Sequence, residues 1–314
     1  TGAVLIGYQA GYSCTWNHTV AIGHNALVSQ TSGNYNVGVG KDAIAANQTG
    51  AQNTALGYQV LKTNTGSFNT SVGMQSLYSN QGASNNTAFG RLAGFHNTTG
   101  AENTFIGSNS GKEATTGKEN TFVGSNCGAN GTITGDGNTG MGRFTFAALV
   151  GGDYNTALGH QSQASNTGGL ANTSVGKNSL NELVGGSRNS VLGQGSGQKI
   201  VGASDNVAIG YEALYNQVSN GQNVAIGVNA LYTYTGSRTV AIGYNAGKVM
   251  ASDVDNVFIG QEAGAGRTSG VDNTFVGSYA NFSASTGCCN TGFGKATGYS
   301  LTTGVQNTFL GRQA

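Results

Sequence analysis

The chain contains no proline, and only 9% of its 314 residues are charged. Proline has no N–H to give a ladder, so its complete absence suits a backbone whose donors mostly enter one. Acidic and basic residues nearly cancel, 14 Lys and Arg against 13 Asp and Glu, spread thinly along the chain. There is no basic stripe to meet a phosphate backbone, which excludes nucleic acid as an expected partner. Nor does any apolar run approach the ~20 residues of a membrane helix, so membrane insertion is not expected. Cysteine is sparse as well: Cys14, Cys127 and the adjacent pair Cys288 and Cys289, with no CxxC or Cys/His spacing of a metal site. They are read as unpaired residues filling ordinary slots.

What is abundant is glycine, 54 residues, alongside a steady supply of Val, Ile, Leu and Phe. That mixture is too apolar for a flexible linker. It calls for short strands joined by tight turns. An apolar residue followed by Gly recurs nineteen times from Gly7 to Gly311; fourteen of the eighteen spacings are 17 residues, three are 16 and one is 18. A period held over the whole chain marks a solenoid. Residues 1–314 therefore read as a single repeat domain. Because both ends fall inside a repeat, it is expected to be a segment of a longer fibre.

With each anchor Gly as position 0, position −1 is apolar in every copy. Position −3 is Thr in eleven copies, Val in seven and Ser once, at Ser190. Position −2 is Ala, Gly, Ser, Val, Leu or Phe and never charged. Position −4 is Asn in sixteen copies: Asn36, Asn53, Asn69, Asn86, Asn103, Asn120, Asn138, Asn155, Asn172, Asn189, Asn206, Asn223, Asn256, Asn273, Asn290 and Asn307. Ala3, Thr19 and Thr239 are the exceptions. Alternation along a strand puts −3 and −1 on one face and −2 on the other. β-Branched residues at −3 and −1 suggest that this face forms the solenoid's core. On that reading −2 is a second buried face, packed against copies of the chain, with Phe105, Phe122, Phe258, Phe275 and Phe309 as inter-chain contacts. After the anchor, a small residue at +3 and often Leu or Gly at +4 suggest a second short strand or bend. Gly beside Thr, Ser or Asn near −7 supplies turn chemistry.

One such unit cannot bury its own apolar face, whereas stacked units can, each strand pairing in parallel with its equivalent in the next turn. The fold class expected is all-β, a parallel β-solenoid. Stacking also aligns the −4 residues into an Asn ladder whose amides hydrogen-bond along the axis.

The unit Asn-Val-Ala-Ile-Gly, as in Asn206–Gly210 and Asn223–Gly227 with Ala213 and Ala230 three residues on, resembles the YadA-like head repeat of trimeric autotransporter adhesins. Similar repeats occur in phage tail-fibre proteins. The resemblance runs through the whole chain on short motifs. It implies a left-handed parallel β-roll, a homotrimer, and an extracellular, cell-surface or virion location. The unit departs in its longer turn, such as Tyr232-Thr233-Tyr234-Thr235-Gly236, and no heptad stalk or membrane anchor lies within these residues. A phage or other extracellular fibre is thus as open as a cell-surface one.

No constellation of unlike polar residues interrupts the repeat to suggest an enzyme, and no cofactor is implied. His24 and His160 share position +1 but lie eight units apart, so they cannot share a metal. The string Gly193-Gln194-Gly195-Ser196-Gly197 lacks the helix and the Lys-Ser/Thr of a phosphate loop. Asp253-Val254-Asp255 does not recur as calcium-binding repeats do. A Thr column could order water on an ice-binding face, but the Val substitutions at −3 point it toward the core. Tyr211, Tyr215, Tyr232 and Tyr244 are candidate exposed aromatics, able to stack on surface glycans if free and otherwise stapling adjacent turns. The function read from these features is a non-enzymatic structural or attachment fibre. The alternative is a self-assembling extracellular filament or sheath formed by end-to-end stacking.

Overall fold

The computed structural model describes residues 2–14, 18–251, 253–267, 269–283 and 286–314. Each turn contributes one strand of three residues, positions −3 to −1, and the described residues contain no helix. The chain groups into two compact units. Thr1–Asn155 carries strands β1 (Val4–Ile6) to β9 (Thr139–Met141), and Thr156–Ala314 carries β10 (Thr156–Leu158) to β19 (Thr308–Leu310).

Within each unit consecutive strands pair in parallel, with like positions opposite each other. In the first, Thr54, Ala55 and Leu56 face Thr70, Ser71 and Val72. In the second, Val207, Ala208 and Ile209 face Val224, Ala225 and Ile226. The remaining residues of each turn are the crossover that parallel pairing requires. Among the described residues they hold no second strand, only isolated bridges such as Ala114 with Ile133. From +1 to +5 the backbone makes tight turns, as where Ala43 N–H donates to the Gly40 carbonyl, and also bonds to the next turn, as Leu27 N–H does to the Ala43 carbonyl.

Three non-anchor positions, −5, +2 and +4, adopt the left-handed region in turn after turn: Asp205 (φ 62°), Glu212 (φ 50°) and Leu214 (φ 52°) around Gly210 are one set. This conformation costs L residues roughly 1–2 kcal/mol each. The inter-turn hydrogen bonds and the burial of the +4 side chain offset it. The anchor must be Gly for two reasons. Gly210 has φ 133°, and a Cβ there would lie 2.5 Å from the carbonyl oxygen of Gly227 in the next turn.

The interior is narrow, and it is here that the expected assignment of faces is reversed. The side chain directed inward from each strand is the one at −2, not those at −3 and −1. Phe105, Phe122, Phe258 and Phe275 are fully buried within the single chain, and Phe309 packs on the same core while partly exposed. They are core residues rather than inter-chain contacts. Three residues of strand per turn leave room for one inward side chain, and its size is matched by position +4. Where −2 is Ala, Ser or Gly, +4 is often large, as in Ala55 with Leu61 and Gly38 with Ile44. Where −2 is Phe, +4 is often Gly: a Cβ on Gly111 would fall 2.2 Å from the Phe105 ring, and one on Gly264 2.6 Å from Phe258.

Candidate interaction face

With −2 turned inward, −3 and −1 form the outer face of the sheet. The strands show this directly: the central residue is buried in all but the two end strands, and its neighbours are half-buried or exposed. In the first unit the −1 column runs Ile6, Ile22, Val39, Leu56, Val72, Phe89, Ile106, Val123 and Met141. In the second it consists of Leu158, Val175, Leu192, Ile209, Ile226, Ile242, Ile259, Val276, Phe293 and Leu310. Leu56 is 49% exposed, Met141 51%, Leu192 50% and Phe293 46%. Beside them runs the −3 column of Thr and Val. Neither column holds a charge. In each unit the exposed apolar surface is on the order of several hundred Å², the size at which a patch on a soluble chain marks an interaction surface.

The Asn ladder stands at the corner beside this face. Asn53 is representative. Its backbone N–H and its Nδ2 both donate to Asn36 Oδ1, at 2.8 and 3.1 Å, and Nδ2 also donates to the Gly66 carbonyl at 2.9 Å. Asn69 then repeats both bonds to Asn53 Oδ1. The amide thus accepts from the turn after and donates to the turn before, while also holding the −7 carbonyl of the following turn. Only a side chain with both a donor and an acceptor can do this. The same pattern links Asn36 to Asn69, Asn120 to Asn155, Asn172 to Asn223 and Asn256 to Asn307. Asn86 makes both donations to Asn69 Oδ1, and at Asn103 and Asn120 the backbone N–H donation to the preceding amide persists.

The two Thr exceptions are repaired from position +7. Tyr234 is buried; its hydroxyl sits 2.7 Å from Thr239 Oγ1 and donates to the carbonyl of Asp253, the −7 residue an Asn at 239 would have reached. Burial pushes the Tyr234 hydroxyl pKa up, keeping it a donor. Gln30 does the same at Thr19: its Nε2 donates to Thr19 Oγ1 at 3.3 Å and to the carbonyl of Gly33. This compensation was not read from the sequence, although a long polar side chain at +7, Gln30 eleven residues after Thr19 and Tyr234 five residues before Thr239, was its signal.

Away from the face, Tyr211 and Tyr244 are exposed. Tyr215 and Tyr232 are not free platforms: their rings stack on each other, 5.0 Å apart at 14°, and Lys199 covers the Tyr215 ring at 5.2 Å. Tyr78 and Phe95 make an equivalent staple one turn apart. On the −5 edge Arg188 grips Asp205 through two bonds of 2.6 and 2.9 Å, and Arg238 grips Asp255 at 2.7 and 2.9 Å. In both pairs hydrogen bonding from the guanidinium holds the carboxyl below its ordinary pKa. Among the described residues no three His, Cys, Asp or Glu side chains gather as a metal would need. No helix among them is long and apolar enough to cross a membrane.

Fold and face together define the class: a β-solenoid repeat protein with a 17-residue turn and, in each unit, a charge-free outer face. No protein-family model matches the chain, and no curated protein matches it.

Proposed function

We propose that the chain is a non-enzymatic structural segment of an extracellular or virion fibre, built from copies that pack their −3/−1 faces together. The carrying observation is the −1 column, apolar in every turn and turned outward. An isolated chain would leave that whole column in water. Copies related by a closed symmetry axis would bury it as an isologous or ring-closed interface. The resemblance to YadA-like heads favours three copies around the axis and a left-handed β-roll. In such an assembly the turn edges, with Tyr211, Tyr244 and the Arg–Asp pairs, face the medium and are the surfaces on which attachment, including to surface glycans, would occur. Light scattering of the purified chain tests the reading, together with a variant carrying Lys at Ile209, Ile226 and Ile242: a multimer for the former and a monomer for the latter are expected. End-to-end stacking into a filament or sheath is the alternative outcome, seen as open-ended polymers rather than a fixed mass.

A second reading is favoured by one observation. The Thr column was expected to point inward, and it points outward, with Thr54, Thr70, Thr87, Thr104, Thr121 and Thr139 in consecutive register. Such a row on a flat sheet is the chemistry of an ice-binding solenoid. The neighbouring −1 column weighs against it, because Leu56, Val72, Phe89 and Met141 differ in size and roughen the face. Inhibition of ice recrystallisation by a monomeric sample would reverse the order of the two readings.

A further inference from the structure

On the outer side of the eighteenth turn, Cys288 and Cys289 stand next to each other with their Sγ atoms 3.1 Å apart. Cys289 is exposed, Cys288 is half-buried, and neither is in a disulfide. Cys289 adopts φ 61°, the left-handed conformation of the −5 positions from His18 to Gln306. Its N–H donates to the Val271 carbonyl at 3.0 Å, and the Cys288 carbonyl accepts from Gln306 N–H at 3.2 Å. The dipeptide is therefore pinned between the preceding and following turns, with both thiols on one side. The pair lies outside the strand face, so a change in its chemistry leaves that face untouched. Cys127, by contrast, is fully enclosed in the core, where burial pushes its thiol up to about 12.

We propose that Cys288 and Cys289 form a site of reversible oxidation by small-molecule disulfides such as oxidised glutathione, the product being a disulfide between the two adjacent residues. The exposed Cys289 thiolate attacks one sulfur of glutathione disulfide. The glutathione S–S bond breaks, one glutathione leaves as thiolate and takes up the proton lost by Cys289, and a mixed disulfide remains. The Cys288 thiolate then attacks Cys289 Sγ, forming the Cys288–Cys289 bond and expelling the second glutathione, which takes the second proton. Two cysteine thiols are oxidised and one glutathione disulfide is reduced to two thiols. The sulfurs need to close by about 1 Å to reach bonding distance, ~2.05 Å. Neighbouring Cα atoms are held about 3.8 Å apart by the peptide, closer than the ~4.4 Å at which disulfides usually begin. The bond is consequently strained and readily reduced again, the behaviour of labile rather than structural disulfides.

The test uses the full chain under native conditions: incubation with oxidised glutathione, alkylation, and mass spectrometry of the tryptic peptide. Arg267 and Lys295 bracket a segment, 268–295, that holds both residues and no other cysteine. The expected peptide is lighter by two hydrogens and carries no alkyl group, and reduced glutathione returns it to the doubly alkylated form. A Cys288→Ser variant removes the second attack, so its peptide should retain one glutathione on Cys289. Two alkyl groups after oxidation, two retained glutathiones, or a cross-link between two chains would each overturn the proposal. Cys127 should be alkylated only after unfolding, which reports that the solenoid stayed folded.

Discussion

Phe105 and Gly111 share one turn, and the structure makes each a condition of the other. Phe105→Ala empties a fully buried ring position, which costs about 3–5 kcal/mol in a packed interior. Gly111→Leu alone drives a side chain into that ring, since even a Cβ there would sit 2.2 Å from Cδ1 and 2.3 Å from Cε1; overpacking of this kind costs about 1–3 kcal/mol or more. The backbone is no obstacle, because Leu61 and Leu214 hold the same +4 position at φ 50° and 52°. The double variant reproduces the Ala–Leu pairing of Ala55 with Leu61 and Ala208 with Leu214, so it should be less destabilised than either single variant. The coupling should reach about 3 kcal/mol, the upper end for residues in contact. Rescue will be incomplete. Gly94 in the preceding turn also makes room for Phe105, with a Cβ there only 2.6 Å from the ring, and that space stays empty. Urea unfolding followed by far-UV circular dichroism measures the three variants. Amide exchange across Thr104–Ile106 separates local opening from global unfolding, as a repeat array requires. Additive destabilisation would show that −2 and +4 do not fill one shared space.

The ladder makes a second expectation: Asn120→Ala strips the side-chain partner from the Asn138 N–H (2.9 Å) and the Gly135 carbonyl (2.9 Å), costing about 1–3 kcal/mol for each buried group left unmet, while Asn138 Nδ2 keeps the Gly152 carbonyl; thermal unfolding reads it. Tyr234→Phe should destabilise the chain, and adding Thr239→Asn should restore most of the loss by putting back the missing rung; failure of that rescue in denaturant titrations would dispose of the compensation argument. The Arg188–Asp205 and Arg238–Asp255 pairs lower their carboxyl pKa values, so their contribution is present above the ordinary carboxylate range (about 3.9) and is lost as pH falls through the folded values. It is small because the pairs are exposed. Accordingly, melting temperatures of wild type and an Arg188→Gln, Arg238→Gln variant should differ slightly at neutral pH and low salt, and converge in acid.

Much of the fold is written in the period. The spacing of the anchor Gly placed all the strands, and the constancy of Asn at −4 foretold hydrogen bonding that Asn53 and Asn69 make in detail. Which strand face is inside was not legible from residue type. Val and Ile at −3 and −1 suit a solvent-shielded sheet whether the shield is the chain's own core or another copy, so hydrophobicity alone could not choose. The deciding signal was relational: Phe at −2 keeps company with Gly at +4, and Ala or Gly with Leu or Ile, which happens only if both project into one volume. The repair of Thr19 by Gln30 and of Thr239 by Tyr234 is relational in the same way. For the aromatics, the period already put Tyr215 and Tyr232 at +5 of adjacent turns, but only the ring geometry, centroids 5.0 Å apart, decided between free platforms and a staple.

The outward face of −3 and −1 is the feature on which the functional reading rests, and the mass of the chain in dilute solution reads it. Sedimentation equilibrium at micromolar concentration should give three times the chain mass for the wild type, and a single chain once Ile209, Ile226 and Ile242 are replaced by Lys with the circular dichroism unchanged. A wild-type sample that sediments as one folded chain, its apolar column open to water, would contradict the account.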